Sequence, residues 1–251
     1  MAVDIHIMGI VNLTPDSFYA GSRCEDAGGA IACIRKMLAD GACTVDIGAC
    51  STRPGAEFPS LEEEWSRLEP VLTEIAAESI SIDTFRPEIV RRAYNMVGPF
   101  IVNDVSGGCP EMFETVKDFD LPYVATHNRP FDADVVRDVV NYFHEVESVG
   151  VPEVIMDPGF GFNKTLEENY DLLRRLDEVT SATERPVMVG ISRKSMIYKP
   201  LGITPEEALP ATQVLHFAAM ERGAAWLRVH DVPDAMAAVK LFHAFRSQPV
   251  C

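Results

Sequence analysis

Ile5-His-Ile-Met-Gly-Ile-Val-Asn12, then helical periodicity over Glu25–Ala39, then Thr44-Val-Asp-Ile-Gly-Ala49, is the stretch that decides the fold. Two short runs rich in β-branched residues flank an amphipathic segment, which reads as strand, helix, strand. The unit recurs. Ser79–Thr84, Phe100–Val105, Tyr123–His127, Val154–Gly159, Pro186–Ser192 and Trp226–Asp231 bring the strands to eight. Helical patterns at Leu61–Ala77, Pro87–Met96, Leu166–Ala182 and Glu206–Glu221 lie between them, the first opening on Ser60 and Glu63 in a capping-box arrangement. Eight even repeats in 251 residues predict an α/β fold, a single (β/α)8 TIM barrel forming one domain over residues 1–251. A doubly wound sheet is the alternative, but it rarely needs eight such repeats, and no Gly/Ser-rich linker marks a domain boundary.

Composition narrows the function. The chain is 47% hydrophobic and 24% charged, enough to bury a sizeable core. Lys+Arg 22 against Asp+Glu 38 gives a net charge of −16, a surface that repels phosphate backbones and anionic headgroups. Nucleic acid and membrane are therefore excluded as expected partners. The six cysteines form no Cys-x-x-Cys pair and no zinc-finger spacing, and are expected to be reduced and mostly buried. Asp4 stands where a signal peptide needs a basic region, and no apolar run reaches membrane-spanning length, so a cytoplasmic location is expected.

Nearly every predicted strand ends in a polar residue: Asn12, Asp46, Asp83, Asn103, His127, Asp157, Lys194 just past the seventh, and Arg228 with His230 on the eighth. In a barrel these ends meet at one mouth, where barrel active sites lie. Capping of the following helices would account for any one Asp or Asn. It does not account for Lys194, Arg228 and His230, because a cation at a helix start opposes the dipole. The set predicts a mouth for a polar, anionic ligand.

The ordered motifs carry a resemblance. Met8-Gly-Ile-Val-Asn-Leu-Thr-Pro-Asp-Ser-Phe18, Asp46-Ile-Gly-Ala-Cys-Ser-Thr-Arg-Pro-Gly-Ala56, Ser81-Ile-Asp-Thr84, Val102-Asn-Asp-Val105, Asp157-Pro-Gly-Phe-Gly-Phe162, Ser192-Arg-Lys-Ser195 and Arg228-Val-His-Asp231 resemble the motif set of the dihydropteroate synthase family, spanning nearly the whole chain. The resemblance implies a (β/α)8 transferase of folate biosynthesis and a sulfonamide target. It would condense 6-hydroxymethyl-7,8-dihydropterin diphosphate with p-aminobenzoate, using Mg2+ and releasing diphosphate, as a homodimer.

A pterin presents ring N–H and NH2 donors beside a carbonyl, so its complement is two carboxylates, a carboxamide and a cation; Asp83, Asn103, Asp157 and Lys194 supply that set. By resemblance Phe162 and Arg228 join them. An internal salt bridge of Lys194 with Asp157 or Asp83 is the structural alternative. Arg53, Arg228 and His230 are the cationic candidates for the leaving diphosphate, and by resemblance Asn12 lies near the magnesium. For p-aminobenzoate the resemblance points to Phe18, Ser51, Thr52 and Pro54, the stem of Lys194, and Ser195 at the start of the seventh βα-unit's helix. Catalysis would fall to Lys194, Arg53, Asp83, Arg228 and His230. Cys50 and Ser51 lack an evident paired base, so direct displacement by the amine is expected rather than a covalent intermediate.

The chain departs from the family's pattern at Thr126, where a methionine is usual beneath the pterin, at Tyr19-Ala20 on the first loop, and at Tyr198 and Ala211-Thr212. A pterin-dependent methyltransferase barrel shares the acid and amide pocket but has no use for Ser-Thr-Arg-Pro, Ser-Arg-Lys-Ser and Arg-Val-His-Asp together. A non-catalytic pterin-binding homologue is the second alternative, and Thr126 is the residue that favours it.

Overall fold

The computed structural model describes residues 4–13, 26–50, 58–131 and 134–247. Eight parallel strands form one sheet: β1 (His6–Asn12), β2 (Thr44–Gly48), β3 (Ile80–Asp83), β4 (Ile101–Asp104), β5 (Tyr123–Thr126), β6 (Val154–Asp157), β7 (Met188–Val189) and β8 (Trp226–Val229). They run in the order β6-β5-β4-β3-β2-β1-β8-β7, and a parallel bridge between Met156 and Val187 joins the two edges. The sheet is thereby closed as a (β/α)8 TIM barrel. Around it lie α1 (Ala27–Ala39), α2 (Leu61–Ile75), α3 (Pro87–Val97), α4 (Pro110–Asp118), α5 (Val135–Val149), α6 (Leu166–Arg174), α7 (Leu176–Ser181), α8 (Ser195–Leu201), α9 (Leu209–Glu221) and α10 (Val232–Arg246).

Local sequence explains most element starts. The α2 capping box forms as expected: Glu63 accepts from the Ser60 N–H at 2.7 Å, and Ser60 Oγ accepts from the Glu63 N–H at 3.3 Å. Thr165 and Glu168 repeat the device at α6, and Asp26 caps α1 by accepting from the Gly29 N–H at 2.7 Å.

Three expected elements change, the helix expected over Glu206–Glu221 opening as a 3-10 turn at Glu206–Ala208 before α9. The helix expected over Leu166–Ala182 breaks at Arg175 (φ −106°, ψ 21°) into α6 and α7. There the guanidinium pairs with Asp134, Asp171 and Glu178 at 2.8, 3.1 and 2.8 Å, tying the break to α5's N-cap. The seventh strand shortens from Pro186–Ser192 to Met188–Val189, because Ile191 O already accepts the turn bond from the Lys194 N–H at 3.0 Å. The cysteines also differ from expectation: among the described ones Cys50 is buried, but Cys43 and Cys109 are exposed. Cys43 sits just before β2, where its thiol donates to Ile7 O, and Cys109 is the N-cap before Pro110.

The pleat divides each strand between two environments. Outward residues such as Val45, Ile47, Ile82, Val102, Ala125 and Leu227 pack under the helices. Inward residues fill the barrel in layers. Its lower part is apolar, with Met8, Val124, Ile155 and Met188 packed with Ile101 and Trp226. Burial of each such side chain is worth about 1.5–3 kcal/mol. One pleat further toward the C-terminal strand ends the inward positions become Asp46, Asp83, Asn103, Thr126, Asp157 and Arg228, and the site begins there.

Candidate active site at the barrel mouth

Register brings these side chains together. Asp83 pairs with Asn103 across β3 and β4, Thr126 with Asp157 across β5 and β6, and Arg228 with Met8 across β8 and β1. Arg228 is the hub. Its guanidinium approaches Asp46 Oδ2 to 2.6 Å and Asp83 Oδ2 to 3.3 Å, and Asp46 Oδ2 also accepts from the Asn103 amide at 2.8 Å. A Cβ placed on Gly48 would meet Asp83 Oδ2 at 3.5 Å and Asn12 Oδ1 at 3.6 Å, so Asn12 leans over the same glycine from β1. On Gly190 it would meet Asp157 Oδ2 and the Arg228 stem, both at 3.8 Å, which places Asp157 on the other flank of the arginine.

Lys194, the N-cap of α8, extends over the β6–α6 turn. Its ammonium donates to Phe160 O at 2.5 Å and lies 4.7 Å from the centre of the Phe162 ring. The internal salt bridge weighed from the sequence is not what holds it: Asp157 and Asp83 act on it at longer range. Asp157 Oδ1 accepts from the Gly159 N–H at 2.7 Å, and Ser195 opens α8 beside Lys194 as expected.

The electrostatics follow from burial. Desolvation and the neighbouring Asp46 push Asp83 up to about 8 against the pull of Arg228. Burial raises Asp157, with Lys194 opposing, and pushes Lys194 down to about 8, with Asp157 opposing. His230, whose Nδ1 lies 3.1 Å from Ser192 Oγ, changes role. Burial and the charges of Arg228, Arg193 and Lys194 push it down to about 3, so it is a neutral imidazole rather than the cation expected from sequence. Arg228, too, is engaged by two carboxylates and is not an open positive surface. Burial and Glu64 push Cys50 up to about 12, which removes it as a nucleophile.

Several buried polar atoms among the described residues have no hydrogen-bond partner: Thr44 Oγ1, Asp46 Oδ1, Ser81 Oγ, Asn103 Oδ1, Thr126 Oγ1 and His216 Nε2. All but the last belong to inward barrel positions. Burial without a partner costs about 1–3 kcal/mol per group, so this mouth is built to be completed by a polar ligand or ordered water. Phe18, Ser51, Thr52, Arg53 and Pro54 lie outside the described residues. Sequence reasoning placed Asp46 among the strand ends at the mouth but gave it no role; the structure makes it the partner of both Arg228 and Asn103. It also missed Lys164, Asn128 and Asn163 around the β6–α6 turn, where Asn163 donates to Asn128 Oδ1 at 2.7 Å and Asn128 to Val105 O at 2.6 Å.

An acid, amide and cation set at the C-terminal mouth of a (β/α)8 barrel defines a pterin-binding enzyme, and the profile of the family described as "Pterin binding enzyme" matches residues 8–230. A dihydropteroate synthase of Neisseria meningitidis serogroup C is 39% identical, the alignment covering 95% of this chain and 92% of that protein. Among solved structures, the Xanthomonas albilineans dihydropteroate synthase with 4-aminobenzoic acid superposes with TM-score 0.89 at 35% identity, over 98% of this chain and 94% of that one. The Yersinia pestis enzyme in a sulfonamide complex does so with TM-score 0.89 at 31% identity, over 98% and 96%. The chain belongs to the dihydropteroate synthase family, and is a transferase.

Proposed function

We propose that this chain condenses 6-hydroxymethyl-7,8-dihydropterin diphosphate with p-aminobenzoate, giving 7,8-dihydropteroate and diphosphate for folate synthesis in the cytoplasm, within one barrel domain. The observation that carries the reading is the meeting of Asp83, Asn103, Asp157, Lys194 and Arg228 at one mouth with Asn103 Oδ1 left without a partner. Asp157 takes the 2-amino group and the adjacent ring N–H, Asn103 a neighbouring ring nitrogen, and Asp83 the far N–H. Lys194 serves the carbonyl side, and Phe162 lies beside its ammonium. Ligand N–H groups facing Asp83 favour its ionised form, reversing the upward push of burial.

The amine nitrogen of p-aminobenzoate attacks the exocyclic methylene. A C–N bond forms, the C–O bond to diphosphate breaks with its electron pair leaving on oxygen, and the amine loses a proton to solvent or the departing diphosphate. Arg53, with Arg228 and the neutral His230 as donors, stabilises the leaving group. The bound ring and carboxylate of p-aminobenzoate fall to Phe18, Ser51, Thr52, Pro54, the Lys194 stem and Ser195. Asn12 is the residue that would hold Mg2+, its carboxamide oxygen leaning toward Asp83 over Gly48; such hard-oxygen ligation suits an ion that keeps waters and phosphate oxygens as its other ligands. The metal would supply charge neutralisation on the diphosphate.

We also assign a second copy of this chain as partner. Val214 on α9 and Leu241 and Phe245 on α10 are exposed, and Phe217 stacks edge-on with Phe242 and Phe245 beside them, an apolar face that a homodimer would cover. No helix among the described residues is long and apolar enough to cross a membrane. The test of the activity is diphosphate release. It is expected when both substrates are present and at neither alone; binding of the pterin with no turnover would replace the synthase by the non-catalytic homologue.

A further inference from the structure

The turn from β6 into α6, Pro158–Thr165, is gripped from two sides by two lysines, and the proposed reaction uses one of them. On the mouth side Lys194 donates to Phe160 O and rides on the Phe162 ring. On the opposite side Lys164 Nζ lies 3.0 Å from Gly159 O, 3.2 Å from Phe162 O, 3.2 Å from His127 O and 2.9 Å from His127 Nδ1. Three ammonium protons serve four acceptors, so one is shared.

The chain of contacts continues outward. His127 is buried, and its Nε2 stands 2.7 Å from Asp138 Oδ2 on α5. Since Nδ1 accepts from the ammonium, the ring is the Nε2–H tautomer, donating to Asp138, which also accepts from Arg129 Nε at 3.2 Å. Lysine, imidazole and carboxylate thus fasten the turn to the end of β5 and to α5. The fit is close: Gly159 has φ +72°, and a Cβ there would stand 2.0 Å from His127 O.

Everything the mouth needs from this turn passes through the same residues. The Gly159 N–H orients the Asp157 carboxylate, Phe160 O and the Phe162 ring orient Lys194, and the carbonyls on either side of them are held by Lys164. Gly161 between them carries its N–H to Asn169 Oδ1 at 2.7 Å, and a Cβ on it would meet the Lys194 stem at 3.2 Å.

We propose that Lys164 is a positioning residue for the pterin side of the site, setting Asp157 and Lys194 through the turn without touching the ligand. The inference rests on the pterin reading of the pocket. It is tested with purified Lys164→Met and wild type, using diphosphate release to obtain KM for each substrate, with circular dichroism to establish the fold. The expected result is a KM for the pterin diphosphate raised at least about tenfold, since a misplacement of an ångström is worth up to about a hundredfold, with a clearly smaller rise in the KM for p-aminobenzoate, which meets only the stem of Lys194 and not Asp157. An unchanged pterin KM, or equal rises for both substrates, overturns the role. If Lys164→Met does not fold, Lys164→Arg is the test variant: a planar fork cannot serve the same four acceptors, so the same split is expected and the same two results overturn it. Absence of diphosphate release by wild type would instead fail the reaction assignment, a result distinct from either.

Discussion

Thr84, Asp104 and His127 each follow an inward residue of the mouth, Asp83, Asn103 and Thr126, and the pleat turns them to the other side of the barrel wall. The two rings differ in how their polar groups are satisfied. Outside, Thr84 donates to the buried Glu64 at 2.6 Å, Asp104 accepts from Ser106 at 2.6 and 2.8 Å and from Tyr123 at 3.0 Å, and His127 joins Lys164 to Asp138. Arg193, beside Lys194, holds Asp231 through two bonds at 2.7 and 2.9 Å. Inside, Asp46, Asn103 and Thr126 each keep a buried atom without a partner. The outer ring fixes the loops and contributes stability. The inner ring forgoes stability to meet a ligand, the arrangement expected where function and stability compete.

The outer ring's share in stability is exposed at the Arg193–Asp231 pair. Asp231→Asn leaves the Arg193 guanidinium, 4% exposed, beside a neutral partner. Loss of one partner of a buried pair costs about 3–5 kcal/mol, so a denaturant midpoint lowered accordingly is expected, and an unchanged midpoint would remove the outer ring's role. On the inner side, Lys194→Ala should lower turnover at least about a hundredfold with the unfolding midpoint kept, because its bonds serve the mouth. Near-normal turnover in that variant would take Lys194 out of the site.

A pH profile sharpens the same contrast. The proposed pterin recognition needs Asp83 as carboxylate and Lys194 as ammonium. In the free enzyme burial moves both to about 8, the acid upward and the base downward. Asp83 holds its proton below that value and Lys194 loses its own above it, so kcat/KM for the pterin diphosphate should be bell-shaped and centred near pH 8. A profile flat through that pH contradicts the assignment.

The smallest expected effect concerns Thr126. Its side chain is buried and faces inward, opposite to His127, with its hydroxyl unpartnered. Thr126→Met exchanges that orphaned hydroxyl for a longer apolar chain, and a gain of about 1 kcal/mol in pterin affinity by calorimetry is expected, the worth of one or two buried methylenes. Unchanged or weaker binding would mean that the hydroxyl is satisfied by a water in the complex.

The inner ring was legible because strand periodicity fixes parity: once the strands were placed, Asp83, Asn103, Asp157 and Arg228 had to face one mouth. The outer ring was not, and His127, counted among the strand ends expected at the mouth, faces outward to Asp138 and Lys164 because Thr126 takes the inward position. Glu64, Asp138 and Lys164 come from helices and a turn, and nothing in their spacing reveals that they meet Thr84, His127 or the β6–α6 carbonyls across the wall. His230 was misread for a related reason. Sequence gives its chemistry as a base of ordinary strength, whereas its charge depends on burial and on three cations, Arg228 from β8 and Arg193 and Lys194 from the turn after β7. The break at Arg175 likewise follows from partners on α5 and α7 that periodicity cannot foresee.

Whether the inner ring trades stability for binding is decided by Asp83→Asn, assayed for kcat/KM with the pterin diphosphate and for thermal unfolding without ligand. The amide resembles the proton-holding form that burial already favours at neutral pH. Expected are a kcat/KM lower by at least about a hundredfold and a Tm equal to or above wild type. A lowered Tm with kcat/KM retained would contradict that trade, placing Asp83 with the residues that hold the barrel together.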